Sequence, residues 1–242
     1  MKMHPCEHCC AGYVAAAALA ACLSGCADGP VPEMRYLNPW IREQWADDER
    51  RATTYHRKVA DLATLRSQAG NLPPAEREQI AAQLAARLKD EPSPALRAEL
   101  LRTLGELPVP AAQQAILAGM TDETAYVRMV ACKSLGRQPN AESFQSLSQA
   151  VASDTDLDVR VAAARELGKF RDFEAPQALR PALDDRDPAL QVAAMQSLET
   201  LTGRTNFRNS APTWRQYLDG GNPTPPPGPT VAEVVKQYWS WF

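Results

Sequence analysis

A phrase that opens on an aliphatic residue and closes eight residues later on a leucine occurs four times in this chain. The four copies open at Leu96, Val127, Val159 and Leu190, so the steps between them are 31, 32 and 31 residues. A fixed period of this size is the signature of a stacked helical solenoid, in which each unit buries its apolar face only against its neighbours. We therefore expect an all-α fold, a short right-handed α-solenoid of about four helix pairs with helical caps at both ends.

The second helix of each unit carries an apolar face. Counted from the residue after the opening aliphatic, which is Arg in three units and Gln in the last, four positions share one side of a helical wheel. They hold Leu96, Val127, Val159 and Leu190; Leu100, Ala131, Ala163 and Ala194; Leu101, Cys132, Ala164 and Met195; and Leu104, Leu135, Leu167 and Leu198. The alanines permit close helix approach, so this face is predicted to be the packing seam, with Cys132 as a small core hydrophobe rather than a catalytic thiol.

Turn residues set the predicted helix ends. The second helices are expected to end at Gly105, Gly136 and Gly168, with the glycine in the left-handed conformation that closes a helix. Acidic residues before each second helix favour its N-terminus by capping and through the helix dipole. A first helix is marked in each unit by Ile80, Leu84 and Leu88; Ile116, Leu117 and Met120; Phe144, Leu147 and Val151; and Leu179 and Leu183. The predicted units are 74–107, 108–139, 140–171 and 172–203.

This pattern resembles the HEAT repeat, and more closely the short HEAT-like units of phycobilisome lyases. The shared phrase is an acidic turn, then Val-Arg-x-x-Ala, then Leu-Gly, and the resemblance covers about residues 74 to 203. It implies a structural ladder in which each arginine reaches back to the acidic turn six positions earlier: Arg97 to Glu91, Arg128 to Asp122, and Arg160 to Asp154. The last unit has Gln191 after Asp185, so we expect the ladder to end there.

The first 25 residues have the layout of a secretory signal. Lys2 precedes an apolar stretch over 11–22, which is short for a membrane span. The exit Leu23-Ser24-Gly25-Cys26 resembles the lipobox of bacterial lipoproteins, which implies cleavage before Cys26, lipid attachment to Cys26 and a lipid-anchored location on the periplasmic side of the cell envelope. An uncleaved Ala-rich helix is the alternative. The metal-like cluster His4, Cys6, His8, Cys9 and Cys10 lies in the segment predicted to be removed, so we expect no metal site.

The segments outside the repeats carry all of the tryptophans. Residues 26–73 are predicted to form a linker and a capping helix, with Trp45, Tyr55, Val59, Leu62 and Leu65 as its apolar contacts. A C-terminal cap is expected over 204–221, from Phe207, Trp214, Tyr217 and Leu218, followed by a Pro-rich spacer over 222–229. Residues 230–242 predict an amphipathic helix that ends on Trp239, Trp241 and Phe242. This helix either packs back on the solenoid or docks on a partner or a membrane interface.

Charge narrows the functional classes. The net charge of −3 and the lack of a basic run argue against nucleic-acid binding. The outward columns of the second helices contain Arg102, Lys133, Arg137, Arg165 and Lys169, which favour a protein partner with an acidic segment or an anionic glycan. No catalytic constellation or cofactor motif is present in the sequence predicted to remain after cleavage. The sequence thus predicts an interaction scaffold without cofactor, and the resemblance leaves a lyase-like enzyme as the alternative.

Overall fold

The computed structural model describes residues 54–171, 174–207 and 210–224. The chain divides into two compact units, Met1–Lys58 and Val59–Phe242, and nearly all of the described residues belong to the second. The predicted signal peptide, Cys26, Trp45, most of the Pro-rich spacer and the aromatic tail with Trp239, Trp241 and Phe242 lie outside the described residues.

Every regular element in the described part of the chain is a helix, which confirms the predicted all-α class. The elements, in chain order, are α1 (Tyr55–Gln68), a 3₁₀ turn (Ala69–Asn71), α2 (Pro74–Asp90), α3 (Pro94–Leu104), α4 (Pro110–Gly119), α5 (Ala125–Leu135), α6 (Ala141–Ser153), α7 (Leu157–Leu167), α8 (Ala175–Ala178), α9 (Arg180–Asp184), α10 (Pro188–Thr202) and α11 (Ala211–Leu218).

Helix starts follow from local chemistry. Proline occupies the first turn of α2, α3, α4 and α10, where its missing N–H costs no hydrogen bond. Side-chain oxygens cap other starts: Asn140 Oδ1 accepts from the Ser143 N–H at 2.8 Å, and Asp156 Oδ1 accepts from the Asp158 N–H at 2.9 Å. These caps satisfy backbone donors that a helix leaves without an internal partner.

The helices stack as pairs. Repeat 1 is α2 with α3, repeat 2 is α4 with α5, repeat 3 is α6 with α7, and repeat 4 is α8 and α9 with α10. The second helices α3, α5, α7 and α10 pack side by side in that order. Their leucines at the seventh position after the counted residue (Leu104, Leu135, Leu167 and Leu198) are fully buried, so the predicted packing seam is the core of an α-solenoid.

The first helix of repeat 4 is broken into α8 and α9. Leu179 joins the two pieces and Pro181 lies in the first turn of α9. Proline has no N–H to donate to the carbonyl four residues earlier, so one continuous α-helix is interrupted at this point. The predicted apolar markers Leu179 and Leu183 are nevertheless fully buried.

The prediction that glycines close the second helices in the left-handed conformation is wrong. Gly105, Gly136 and Gly168 have φ of −60°, −64° and −60°, in the ordinary right-handed region. Their role is close packing, because a Cβ on Gly105 would lie 3.1 Å from Ser134 Cβ and one on Gly168 would lie 2.9 Å from Ser197 Oγ. A Cβ at these positions would crowd the serine of the next repeat by a few tenths of an ångström.

Aromatic residues close the C-terminal end. Phe207 and Trp214 are buried and meet edge-on with ring centroids 4.9 Å apart, while Tyr217 contacts both rings. At the other end Leu62 of α1 is buried. Tyr55 differs from the expectation that it packs in the core: it is 45% exposed, and its ring meets the ring of the neighbouring His56 edge-on.

Replacing Gly136 tests the close approach of repeats 2 and 3. A Cβ at this position would lie 1.8 Å from Glu166 Oε2, so we expect Gly136→Ala to lower the free energy of unfolding by about 1–3 kcal/mol. Adding Glu166→Ser to the Gly136→Ala protein should remove at least half of that cost, because repeats 2 and 4 have serine at this position. Urea denaturation followed by circular dichroism measures both effects.

Gly70→Ala is the matched control, because nothing lies within 4 Å of its Cβ position. Equal costs at Gly136 and Gly70, or no relief from Glu166→Ser, would contradict the packing role.

Candidate functional site

Two arginines join successive repeats through two-pronged ion pairs. Arg97 of α3 donates from Nε to Asp122 Oδ2 at 2.8 Å and from Nη2 to Asp122 Oδ1 at 2.9 Å. Arg128 of α5 donates from Nε to Asp154 Oδ2 and from Nη2 to Asp154 Oδ1, both at 2.9 Å. Because the guanidinium fork matches the carboxylate, this geometry fixes orientation as well as distance.

The direction of this ladder differs from the expected one. Each arginine was expected to pair with the carboxylate six residues earlier, but the carboxylate it binds belongs to the turn of the following repeat, 25 or 26 residues later. The earlier turn contributes backbone carbonyls instead: Arg128 Nη1 donates to Asp122 O at 2.9 Å, and Arg160 Nη1 donates to Asp154 O at 3.0 Å. The carboxylates are turned away from their own arginines because they accept the backbone N–H two residues on, as Asp154 Oδ1 does from Asp156 at 2.9 Å.

The ladder loosens toward repeat 4. Arg160 Nη2 is 3.7 Å from Asp185 Oδ2, and the buried Nε of Arg160 has no partner among the described residues. In the last repeat Gln191 Nε2 donates to Asp185 O at 2.7 Å, so the contact with its own turn persists without a charge. This longer contact between Arg160 and Asp185 lies next to the broken first helix of repeat 4, because Asp185 directly follows α9.

The ion pairs shift the acidity of the turn carboxylates. Burial alone would raise the pKa of Asp122, but hydrogen bonds from Arg97 and the Thr124 N–H outweigh burial and hold the pKa below its ordinary value. The pKa of Asp154 is lowered in the same way, against burial, by Arg128 and the Asp156 N–H. Both carboxylates are therefore ionised in neutral solution, as their structural role requires.

The predicted cations of the second helices form one surface, which we call the basic face: Arg102, Lys133, Arg137, Arg165 and Lys169. The structure gives three of the five an internal partner. Arg137 Nη1 lies 2.9 Å from Glu106 Oε1, Lys169 Nζ lies 2.5 Å from Glu166 Oε2, and Arg102 pairs with Glu99 and donates to the Tyr126 hydroxyl at 2.6 Å.

Lys133 and Arg165 are different. Both are exposed, and among the described residues neither has a carboxylate within ion-pair distance. They occupy the same position on α5 and α7, five residues after Arg128 and Arg160. The structure therefore places two available positive charges side by side on adjacent helices.

A comparison with protein families now bears on this architecture. The model of the family described as HEAT repeats matches residues 81–162 and 144–209, which together cover 81–209, more than half of the chain. The chain belongs to the HEAT-repeat family. HEAT repeats typically form non-catalytic scaffolds for protein interaction. No curated protein matches this HEAT-repeat chain in sequence.

A cavity of about 830 Å³ lies between α2 and α4, the first helices of repeats 1 and 2. Alanines of both helices line much of it, and the charged residues at its wall include Lys89, Arg97 and Asp122. None of the basic-face cations borders this cavity. Lys133, Arg137, Arg165 and Lys169 are all exposed.

Three features bear on other chemistry in the described ranges. Burial raises the pKa of the Cys132 thiol to about 12, so this HEAT-repeat seam cysteine is a protonated core residue. Within 54–171, 174–207 and 210–224, no group of three or more metal-ligating side chains comes together. No helix in the same ranges has the length and apolar character to cross a bilayer.

Sequence reasoning missed Glu99, Glu106, Tyr126 and Glu166, which decide how much of the basic face is available. Glu99 accepts from Arg66 at 2.6 Å as well as from Arg102. Tyr126 is 43% exposed and lies under the Arg102 guanidinium at 5.7 Å. One signal was present: Glu106 occupies the column position of Arg137, one repeat earlier, so an opposite charge in the neighbouring repeat predicts a pair.

Replacing Asp154 tests the ladder. Asp154→Asn keeps an oxygen for the Asp156 N–H but removes the charge that Arg128 binds, so we expect a loss of about 2 kcal/mol in the free energy of unfolding at pH 7. Because folding lowers the pKa of Asp154, its contribution is present above the unfolded value of about 3.9 and is lost as pH falls through the folded value. Urea titrations from pH 7 to pH 2 should show the two proteins converging on acidification.

Asp185→Asn is the matched control, because Asp185 also accepts an N–H two residues on but lies 3.7 Å from its arginine. We expect it to cost less than about 1 kcal/mol. Equal costs for the two variants, or a gap that stays constant as pH falls, would show that the Arg128 pair does not hold the repeats together.

Proposed function

We propose that this HEAT-repeat protein is a lipid-anchored extracytoplasmic scaffold that binds a protein partner through its basic face. The observation that carries the proposal is the pair of exposed cations Lys133 and Arg165 on adjacent second helices, neither of which has an ion-pair partner in the described part of the chain. Exposed charges on a rigid repeat surface raise the rate and the specificity of association with a partner of opposite charge. An acidic protein segment is therefore the ligand that this face fits, whereas nucleic acid is disfavoured by the net charge of −3.

The lipid anchor rests on sequence alone. Leu23-Ser24-Gly25-Cys26 follows directly on an apolar stretch, which supports cleavage before Cys26 and its acylation. Such an anchor would hold the scaffold at a membrane of the cell envelope and concentrate it near membrane-bound partners. A lyase-like activity, implied only by resemblance to phycobilisome lyases, gains no support from the open arrangement of the basic face.

The anchor is tested by mass spectrometry of the membrane fraction. We expect the mature protein to begin at a lipid-modified Cys26, and Cys26→Ala to accumulate in unprocessed form without the lipid. Recovery of peptides that start at Met1 as the main species, or a Cys26→Ala protein distributed as the wild type, would refute the anchor.

The binding surface is tested by charge reversal. A photo-crosslinking residue at position 129, beside Lys133, should capture a partner in intact envelopes, and the purified partner then serves for binding measurements. We expect Lys133→Glu with Arg165→Glu to abolish binding, while stability changes by no more than about 0.5 kcal/mol per site because both positions are exposed. Binding should also weaken as salt rises, since exposed charges are screened over about 8 Å.

Two controls separate the alternatives. Arg87→Glu with Arg186→Glu makes the same change in net charge at exposed positions away from the basic face, and it should leave binding intact. Deleting residues 230–242 tests the aromatic tail. If binding survives the reversal at Lys133 and Arg165 but is lost with the tail, the partner is held by Trp239, Trp241 and Phe242, and the basic face is only a solvated surface.

A further inference from the structure

The two available cations of the basic face have a defined spacing. Lys133 and Arg165 are equivalent residues of α5 and α7, which pack side by side, so their side chains leave the surface in the same direction. Packed helices have axes about 8–10 Å apart. The face therefore presents two positively charged side chains attached about 10 Å apart along the direction of stacking, across the helices rather than along one of them.

The charges on either side limit the footprint to these two repeats. In repeat 1 the equivalent position is Arg102, which Glu99 and Tyr126 already hold. In repeat 4 it is Gln196, which has no charge. A ligand that binds Lys133 and Arg165 needs only two anionic groups, and it has to lie across α5 and α7.

The same face carries carboxylates that disfavour a diffuse anionic surface. Glu106, whose side chain is 38% exposed, pairs with Arg137, and the largely buried carboxylates of Glu166 and Glu99 pair with Lys169 and Arg102. A membrane of anionic lipids or a polyanion would meet the exposed Glu106, together with cations whose charge these carboxylates already balance. A ligand with two carboxylates at fixed positions meets the cations alone, which is how placed charges give specificity.

Helical geometry matches the spacing. In an α-helix, residues seven apart are separated by about 10.5 Å along the axis and lie on nearly the same side. In a strand, residues on one side are separated by about 6.6 Å or 13 Å, which brackets the required distance without meeting it. The intervening turn of a bound helix would meet Met129, which lies one turn before Lys133 and is a partly buried apolar residue packed against the core.

We propose that the basic face binds an acidic α-helix of a partner protein, with two carboxylates seven residues apart on Lys133 and Arg165. This proposal rests on the proposed function, since it names the ligand of the same surface. The helix lies across α5 and α7 with an aliphatic residue between its two carboxylates, over Met129.

The test uses synthetic helical peptides of one composition with the full-length chain. Each carries two glutamates, seven residues apart in the test peptide and four or eleven apart in the matched peptides, which places the carboxylates about 6 Å or about 16 Å apart. Fluorescence anisotropy should show the seven-residue peptide binding about threefold to fivefold more tightly than either matched peptide, because a mis-spaced peptide reaches only one of the two cations at a time. Lys133→Gln and Arg165→Gln should each weaken it about threefold to fivefold and remove the preference for spacing, because each exposed ion pair adds only a modest attraction. Arg186→Gln is the control, and it should leave the preference unchanged.

A charge swap gives a second measurement. A seven-residue-spaced peptide with two lysines should bind the Lys133→Glu, Arg165→Glu protein and not the wild type. Equal binding of the three glutamate peptides would overturn the helix proposal. It would also be overturned if none of the peptides binds and phosphatidylglycerol vesicles bind in a way that depends on Lys133 and Arg165. If the native partner still requires Lys133 and Arg165 when the spacing preference is absent, only the helix proposal fails. If the native partner does not require them, the proposed function fails as well.

Discussion

Close approach between the second helices of neighbouring repeats is the constraint on which this solenoid depends. A single helix pair cannot bury its own apolar face, so each unit needs a neighbour that fits against it. Gly105 leaves room for Ser134, and the Ser134 hydroxyl donates to the Leu101 carbonyl at 3.0 Å. Ser197 repeats the arrangement over Gly168, with its hydroxyl 2.8 Å from the Ala164 carbonyl. Small residues and glycine thus set the distance at which the leucine seam closes.

Repeat 3 has a larger residue at the serine position, and this difference affects the charges at the surface. Glu166 occupies the position of Ser134 and Ser197, and an ionised carboxylate cannot donate to a backbone carbonyl. Its carboxylate lies over Gly136 and pairs with Lys169 instead. Packing in the interior therefore removes Lys169 from the charges available to a partner, just as Glu106 removes Arg137.

Elements that repeat in the sequence could be predicted, and contacts between repeats could not. The apolar period specifies the buried side of each second helix, so Leu135 and Leu167 are recognisable as core without a structure. The ladder has an acidic residue both six positions before Arg128 and 26 positions after it, and only the stacking decides which carboxylate it binds. The glycines were recognised as essential for the wrong reason, because a closing residue and a close-packed one have the same identity. Similarly, Arg137 and Arg165 look alike in sequence, and a carboxylate contributed by another repeat separates them.

The ladder and the basic face are connected through one pair. Arg128 lies on α5 five residues before Lys133, and Asp154 lies in the turn that leads into α7, which carries Arg165. The two-pronged contact of Arg128 with Asp154 therefore fixes α5 against α7 at the junction where the two free cations stand. At the next junction Arg160 makes only a longer contact, and the cap is held by more exposed pairs such as Arg215 with Asp184 at 3.0 Å. The junction that a ligand would contact is thus one of the two held by a two-pronged ion pair, and a surface fixed in advance loses less conformational entropy when it binds.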